Sequence, residues 1–350
     1  NPLNPNAYNN RASIYTQLED LDAALQDYNS AIELEPEYAT YYGNRASNYR
    51  NQGDIDAALQ DYDTAIQLEP ENAFHYASRA TSYISIGEME EALQDFNTAI
   101  RIEPLNPSYY NNRFLVNKEL GNIDAALNDI TTTIELDANS YPNAFFSRAL
   151  LYSDKEEYEL ALPDISQYID LNPDNPGAFE MRGIILINSG DYESAISDFD
   201  YMIDELMPSG KLFPTAFVNR GVAYYYLTDY EQALADFDRV IDVVPNQLLA
   251  IFNRGLTYLR MGNLESAYQD YEKGIQIHFE DSPYPDTDII AIAITDINNA
   301  IEEEPENGDL YLFRGYLYHI QGETELAEGD WDMVEELGTT FLPDIEVLRS

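Results

Sequence analysis

The chain repeats itself about every 34 residues, and no other feature narrows its fold so far. Alanines recur at Ala24, Ala58, Ala92, Ala126, Ala161, Ala195, Ala233, Ala267, Ala293 and Ala327, and each is followed at the third position by an aspartate. An arginine precedes nine of those ten aspartates at one constant interval, from Arg11 and Asp27 through to Arg314 and Asp330. A period of this length means that each unit is one supersecondary motif, unable to bury its apolar face alone and obliged to stack on its neighbours. Within a unit the spacing predicts two helices. Tyr42, Ala46 and Tyr49 share a helical face around Arg45, and Asn51, Gln52 and Gly53 make a turn. Ile55, Ala58, Leu59, Tyr62, Ala65 and Ile66 then recur at helical spacing a second time. Pro36, Pro70, Pro104, Pro173, Pro245 and Pro305 close units in this phase, because proline cannot continue a helix.

An aromatic residue lies three positions before most of the arginines (Tyr8, Tyr42, Tyr76, Tyr110, Phe145, Phe179, Phe217, Tyr311), with Ile251 the departure. With the period, the small residue after the arginine, the second-helix alanine and the closing proline, the chain resembles the tetratricopeptide repeat family over nearly its whole length. The resemblance implies an all-α, right-handed α-solenoid of antiparallel helix pairs. It also implies an inner groove lined mainly by first helices, and binding of proteins or peptides without catalysis. About nine repeats plus one lone helix are expected: eight repeats over residues 1–279, an irregular loop and lone helix over 280–304, a final repeat over 305–338, and a short C-terminal cap over 339–350 that is started by Pro343.

The departures from the repeat are informative. Pro208, Ser209, Gly210 and Lys211 lengthen one junction by four residues. Repeat four is degenerate, with Phe114, Asn117, Thr133 and Ala138 at the usual small, aromatic, alanine and proline positions. Between Arg254 and Arg314, His278–Asp286 reads as a loop and Ile289–Ile301 as a lone second helix, so that unit lacks most of its first helix. Pro2 stands one full period before Pro36 and no initiator methionine is present, so the chain is expected to be a trimmed or processed form.

The constant arginine–aspartate separation could serve as an anion-binding ladder, but structural ion pairs across each hairpin account for it more simply. In an antiparallel hairpin, residues whose numbers sum to a constant face each other. The expected pairs are Arg11–Asp27, Arg45–Asp61, Arg79–Asp95, Arg113–Asp129, Arg148–Asp164, Arg182–Asp198, Arg220–Asp236, Arg254–Asp270 and Arg314–Asp330.

Charge then bounds the partners. The net charge is −46, and setting aside the nine pairs leaves 55 acids against nine cations. Such a surface repels nucleic acid and anionic lipid, and it opposes self-association unless salt screens it. No stretch approaches the apolar run of a membrane span, so no membrane insertion is expected. The four lysines fit a saline environment or an extracellular or periplasmic bacterial setting, without deciding between them.

In this family the inner surface is expected from residues two before the arginine and two, five and six after it. Early repeats place small polar residues there: Asn9, Ser13, Thr16 and Gln17, then Gly43, Ser47, Arg50 and Asn51. Later repeats place Phe146, Leu150, Ile184, Ile187, Val218, Val222, Tyr225, Tyr226, Phe252, Leu256 and Leu259 there, a candidate protein-binding groove. The competing reading is that the lone helix or a tightened coil covers this stripe. Arg50, Lys118 and Arg260 are too scattered for a basic clamp on acidic peptides.

Catalytic chemistry has no foothold. The absence of cysteine removes thiolate sites and disulfides. His75, His278 and His319 lack metal-ligand spacing, and His75 is expected to be a partly exposed packing residue. No cofactor is expected. Runs such as Asp61, Asp63 and Asp286, Asp288 lack a glycine-turned calcium loop; a solvated acidic face is the simpler reading, with loose surface calcium as the alternative. Two functions remain: an interaction scaffold for a protein or peptide, or a structural subunit whose copies stack end to end into an extracellular filament or oligomer. A third, a regulatory module severed from a catalytic part, has no support in the residues.

Overall fold

The computed structural model describes residues 4–206, 213–281 and 287–339. Among them are nineteen α-helices, one π-helical segment and no strand. The chain divides into two compact units, Asn1–Leu171 and Asn172–Ser350.

The first unit is five helix pairs: α1 (Pro5–Gln17) with α2 (Leu21–Leu34), α3 (Ala39–Gln52) with α4 (Ile55–Leu68), α5 (Ala73–Ser85) with α6 (Met89–Ile102), α7 (Pro107–Glu119) with α8 (Ile123–Asp137), and α9 (Pro142–Asp154) with α10 (Tyr158–Leu171). Local chemistry sets the ends. Asn4, Asp20, Asp54, Asn72 and Asn106 cap helix N-termini with side-chain oxygens that accept from backbone N–H groups two or three positions on. Gly53 ends α3 at φ 83°, a left-handed conformation that costs glycine nothing.

The first three pairs each close through one small-against-large contact. Ala12, Ala46 and Ala80 face Tyr28, Tyr62 and Phe96, all within 2% of complete burial. Repeat four inverts the volumes: Phe114 stands on the first helix and Ile130 on the second, in one cluster. Its Asn117, 4% exposed, donates to Asp129 Oδ2 at 2.9 Å, so a polar side chain in the aromatic position is satisfied rather than stranded. The repeat is altered in sequence but whole in packing.

The second unit pairs α11 (Pro176–Ser189) with α12 (Tyr192–Tyr201), α13 (Pro214–Tyr226) with α14 (Tyr230–Val243), α15 (Leu248–Arg260) with α16 (Leu264–Asp281), and α18 (Gly308–Gln321) with α19 (Thr324–Glu336). The chain leaves α12 through a π-helical turn, Met202–Leu206. The insertion expected at Pro208–Lys211 lies outside the described residues. Glycine after the arginine is forced here, because a Cβ on Gly183 would stand 2.5 Å from Phe199 and one on Gly221 2.6 Å from Phe237.

The irregular unit corrects one expectation. His278–Asp281 are not loop but the last residues of α16, which runs 18 residues. The rest of the expected loop, residues 282–286, lies outside the described residues. The lone helix is α17, Thr287–Glu303, longer at both ends than the sequence suggested. It packs against α15 and α18, burying Ile290, Ile294, Ile297 and Ile301 with Phe252, Leu256 and Leu259 in one cluster. Of the expected C-terminal cap, residues 340–350 also lie outside the described residues. No helix among the described residues is long and apolar enough to cross a membrane.

Candidate functional site

Every expected arginine–aspartate pair is formed. In each, Nε donates to one carboxylate oxygen and Nη2 to the other, at 2.5–2.9 Å. The aspartate side chains are 1–9% exposed. Such bidentate, charge-assisted bonds are the strong kind. Bonds to Asp95 and Asp270 hold the Arg79 and Arg254 guanidinium groups above their ordinary pKa.

The third guanidinium nitrogen reaches back to the preceding hairpin, a bond that the repeat spacing alone does not announce. Nη1 of Arg45 donates to Asn29, of Arg79 to Asp63, of Arg113 to Asn97 and of Arg254 to Asp238, each 16 residues earlier. Where the chain has insertions the bond survives them: Arg148 reaches Thr131 across 17 residues and Arg220 reaches Asp200 across 20. Its signal in the sequence is a polar residue two positions after each aspartate. Asp63, one of an acidic run, belongs to this clasp. Arg314 Nη1 donates to Asn298 on α17 at 2.6 Å, so α17 occupies the place of a second helix, with no first helix of its own among the described residues.

Aromatic rings complete the clasp. Arg45 lies over Tyr42 and Tyr49, Arg79 over Tyr76 and Tyr83, and Arg314 over Tyr311 and Tyr318, at 5.3–5.9 Å from the ring centroids. Arg45, Arg79 and Arg314 each spend three of their five N–H bonds on these partners and are 18–19% exposed, which disfavours an anion-binding ladder; Arg11, 57% exposed, is the departure.

His75 is buried, 2% exposed, rather than partly exposed as expected. It stands where two other repeats carry tyrosine. Tyr41 and Tyr109 donate to Glu35 and Glu103, and His75 Nε2 lies 3.4 Å from Glu69 Oε2 in the same register. Burial, with the glutamates adding to it, pushes the two tyrosines up to about 12. Burial lowers the His75 pKa against the pull of Glu69. Gly43 makes the room, since a Cβ there would stand 3.1 Å from the imidazole.

The proposed groove divides. Phe146 and Leu150 lie half-buried in the first unit, Phe146 edge-on to Tyr168 at 5.2 Å. The others lie in the second unit, and four of them are core: Val218, Phe252, Leu256 and Leu259 are only 3–6% exposed. For Phe252, Leu256 and Leu259 the cause is α17, which takes their face into its own core. Ile184 (39%) and Tyr226 (40%) remain exposed, with Ile187, Val222 and Tyr225 half-buried.

Where that surface meets α17 there is a pocket of about 70 Å³, walled by Tyr225, Tyr226, Tyr230, Thr228, Arg260 and Glu303 over the buried Leu256 and Ala300. Tyr225 and Tyr226 meet edge to face, with centroids 5.4 Å apart, and Tyr192 stacks flat on Tyr226 at 5.1 Å. Arg260 is not a free groove cation. Its side chain is 8% exposed and donates to Tyr225 Oη at 3.0 Å and to Glu303 and Glu304 at 2.8 Å. Burial works against its charge, but these bonds keep it firmly protonated. Among the described residues no group of three or more His, Asp or Glu is placed to hold a metal ion.

Family models described as tetratricopeptide repeat match residues 5–38, 39–72, 76–104, 146–209 and 218–283. Comparison with curated proteins finds no significant match. Among solved structures, a tetratricopeptide repeat protein from Parabacteroides merdae is 23% identical, over 72% of this chain and 98% of that one, with a TM-score of 0.47. The Naa15/Naa10 complex bound to HypK-THB aligns at 12% identity over 95% of this chain and 64% of that one, with a TM-score of 0.50. The first TPR of Spaghetti bound to an HSP90 peptide aligns at 21% identity over 35% of this chain and 96% of that one, with a TM-score of 0.33.

Proposed function

This chain belongs to the tetratricopeptide repeat family, and from that premise we propose that it is a non-catalytic interaction scaffold that holds a polypeptide segment against the first-helix face of its second unit. The observation that carries the reading is the pocket beside an exposed apolar strip. Ile184 and Tyr226 stay open, Ile187, Val222 and Tyr225 half-open, while the apolar residues beyond them are covered by α17. Aromatic anchors beside a preformed recess are the usual source of binding energy at an interface.

Selection of binding peptides from a random displayed library tests this. Selected peptides should lose binding to Ile184→Asp and to Val222→Asp. They should keep it with Val243→Asp, which alters an exposed residue of α14. Equal binding to all three, or no enriched peptide, overturns the reading. Phe252 is unsuited to such a test: it is core, and truncation to alanine costs about 3–5 kcal/mol of stability.

A further inference from the structure

The chemistry of the pocket selects what enters it. We infer that the recess between Tyr225, Tyr226, Tyr230 and Glu303 receives the cationic head of a lysine or arginine side chain from the bound segment. The inference rests on the scaffold reading above and adds to it the partner's chemistry.

Three observations carry it. The first is the wall of rings. Tyr225 meets Tyr226 at 77° and Tyr230 at 50°, with centroids 5.4 and 5.8 Å apart, and Tyr192 lies flat against Tyr226 at an interplanar angle of 9°. The faces of such rings are electron-rich and attract cations. Rings already braced against one another lose little freedom when a ligand arrives.

The second is the charge of the recess. Its one cation, Arg260, has Nε on Tyr225, Nη1 on Glu304 and Nη2 on Glu303. At 8% exposed and with three of its five N–H groups engaged, Arg260 offers little to a carboxylate or phosphate. Glu303 on the wall answers the Arg260 charge, with Glu304 bonded to Arg260 beside it, and the Glu303 side chain is 72% exposed, so it can accept from an incoming cation as well. The surrounding molecule, at −46, favours a basic segment over an acidic one at every distance.

The third is size: the recess, about 70 Å³, is of the order of a single side-chain head.

The test uses the full chain at physiological salt and an octapeptide of two Gly-Ser-Lys-Ser blocks, with arginine and glutamine forms in which the lysines are replaced. The lysine and arginine forms should bind and the glutamine form should not. Tyr226→Leu and Tyr230→Leu, which keep apolar bulk but lose the ring, should each weaken binding roughly two- to thirtyfold. Tyr226→Phe should retain it and Glu303→Gln should weaken it, with thermal melts confirming that each variant is folded. Equal affinity of wild type and both leucine variants would place the cations diffusely on the acidic surface and overturn the inference. So would binding of the glutamine form, or no binding of the lysine form. The scaffold reading fails separately: library-selected peptides that need Ile184 but no basic residue sink only the cation, whereas absence of any inner-face peptide sinks both.

Discussion

Replacing Arg79 by alanine strips Asp95 of both guanidinium bonds and leaves a carboxylate 5% exposed without its counter-charge. Arg79 itself is 19% exposed, so solvent screens the pair only partly. Breaking such a pair from one side is expected to cost about 3–5 kcal/mol, against about 0.5 kcal/mol or less for Arg101→Ala on the exposed face of α6. Equal shifts in denaturant midpoint would contradict the clasp. Arg79→Lys should fall between, since an ammonium cannot reach Asp95 bidentately and Asp63 as well. His75 makes a pH prediction. Its folded pKa is lowered from 6.5, so the unfolded chain takes up a proton that the folded chain refuses. Its contribution is whole above pH 6.5 and drains away as pH falls below that value, by at most about 1.4 kcal/mol per pH unit. His75→Tyr, the residue found in that register at Tyr41 and Tyr109, should therefore lose less stability between pH 6.5 and about pH 5 than the wild type. Parallel stability profiles would contradict the assignment.

Helix α17 takes Phe252, Leu256 and Leu259 from the surface, whereas Val218 is buried without it. Ile297 is fully buried in its cluster with Phe252, Leu256 and the α18 residues Leu310 and Phe313. Ile297→Ala should cost about 2–5 kcal/mol and open residues 287–303 to limited proteolysis before the first unit is cut; simultaneous cleavage of both units would argue that α17 is not a separately weakened element. Much of this scale was legible in the sequence. The constant offset from arginine to aspartate pointed to the paired helices and the nine clasps, because an antiparallel hairpin leaves one geometric solution for a fixed spacing. That the lone helix could cover the stripe was legible; which residues it takes was not. Phe252, Leu256 and Leu259 carry the same local pattern as Ile184 and Val222, and only α17, which follows them at a distance in the chain and lands on them, separates core from surface. The third guanidinium bond was hidden for a different reason: its partner varies among Asn, Asp and Thr, so chemistry rather than identity is repeated.

At the scale of the whole molecule the net charge of −46 opposes compactness, while the buried clasps lie largely out of reach of mobile ions. Sodium chloride raised from about 10 mM to about 500 mM should therefore raise the melting temperature; a steady fall would mean that exposed ion pairs, not the clasps, hold the helices together. The same repulsion predicts scattering by a monomer at low ionic strength, and oligomers there would favour end-to-end stacking of copies over the scaffold. The central claim concerns where a partner sits, and a hydrogen-exchange footprint of the full chain with a library-selected basic peptide reads it directly. Slowed exchange is predicted in α13, in the turn through Thr228 to Tyr230, and at the C-terminal end of α17 around Asn299–Glu303. Protection confined to the second helices α12 and α14, or spread evenly over both units, would contradict it.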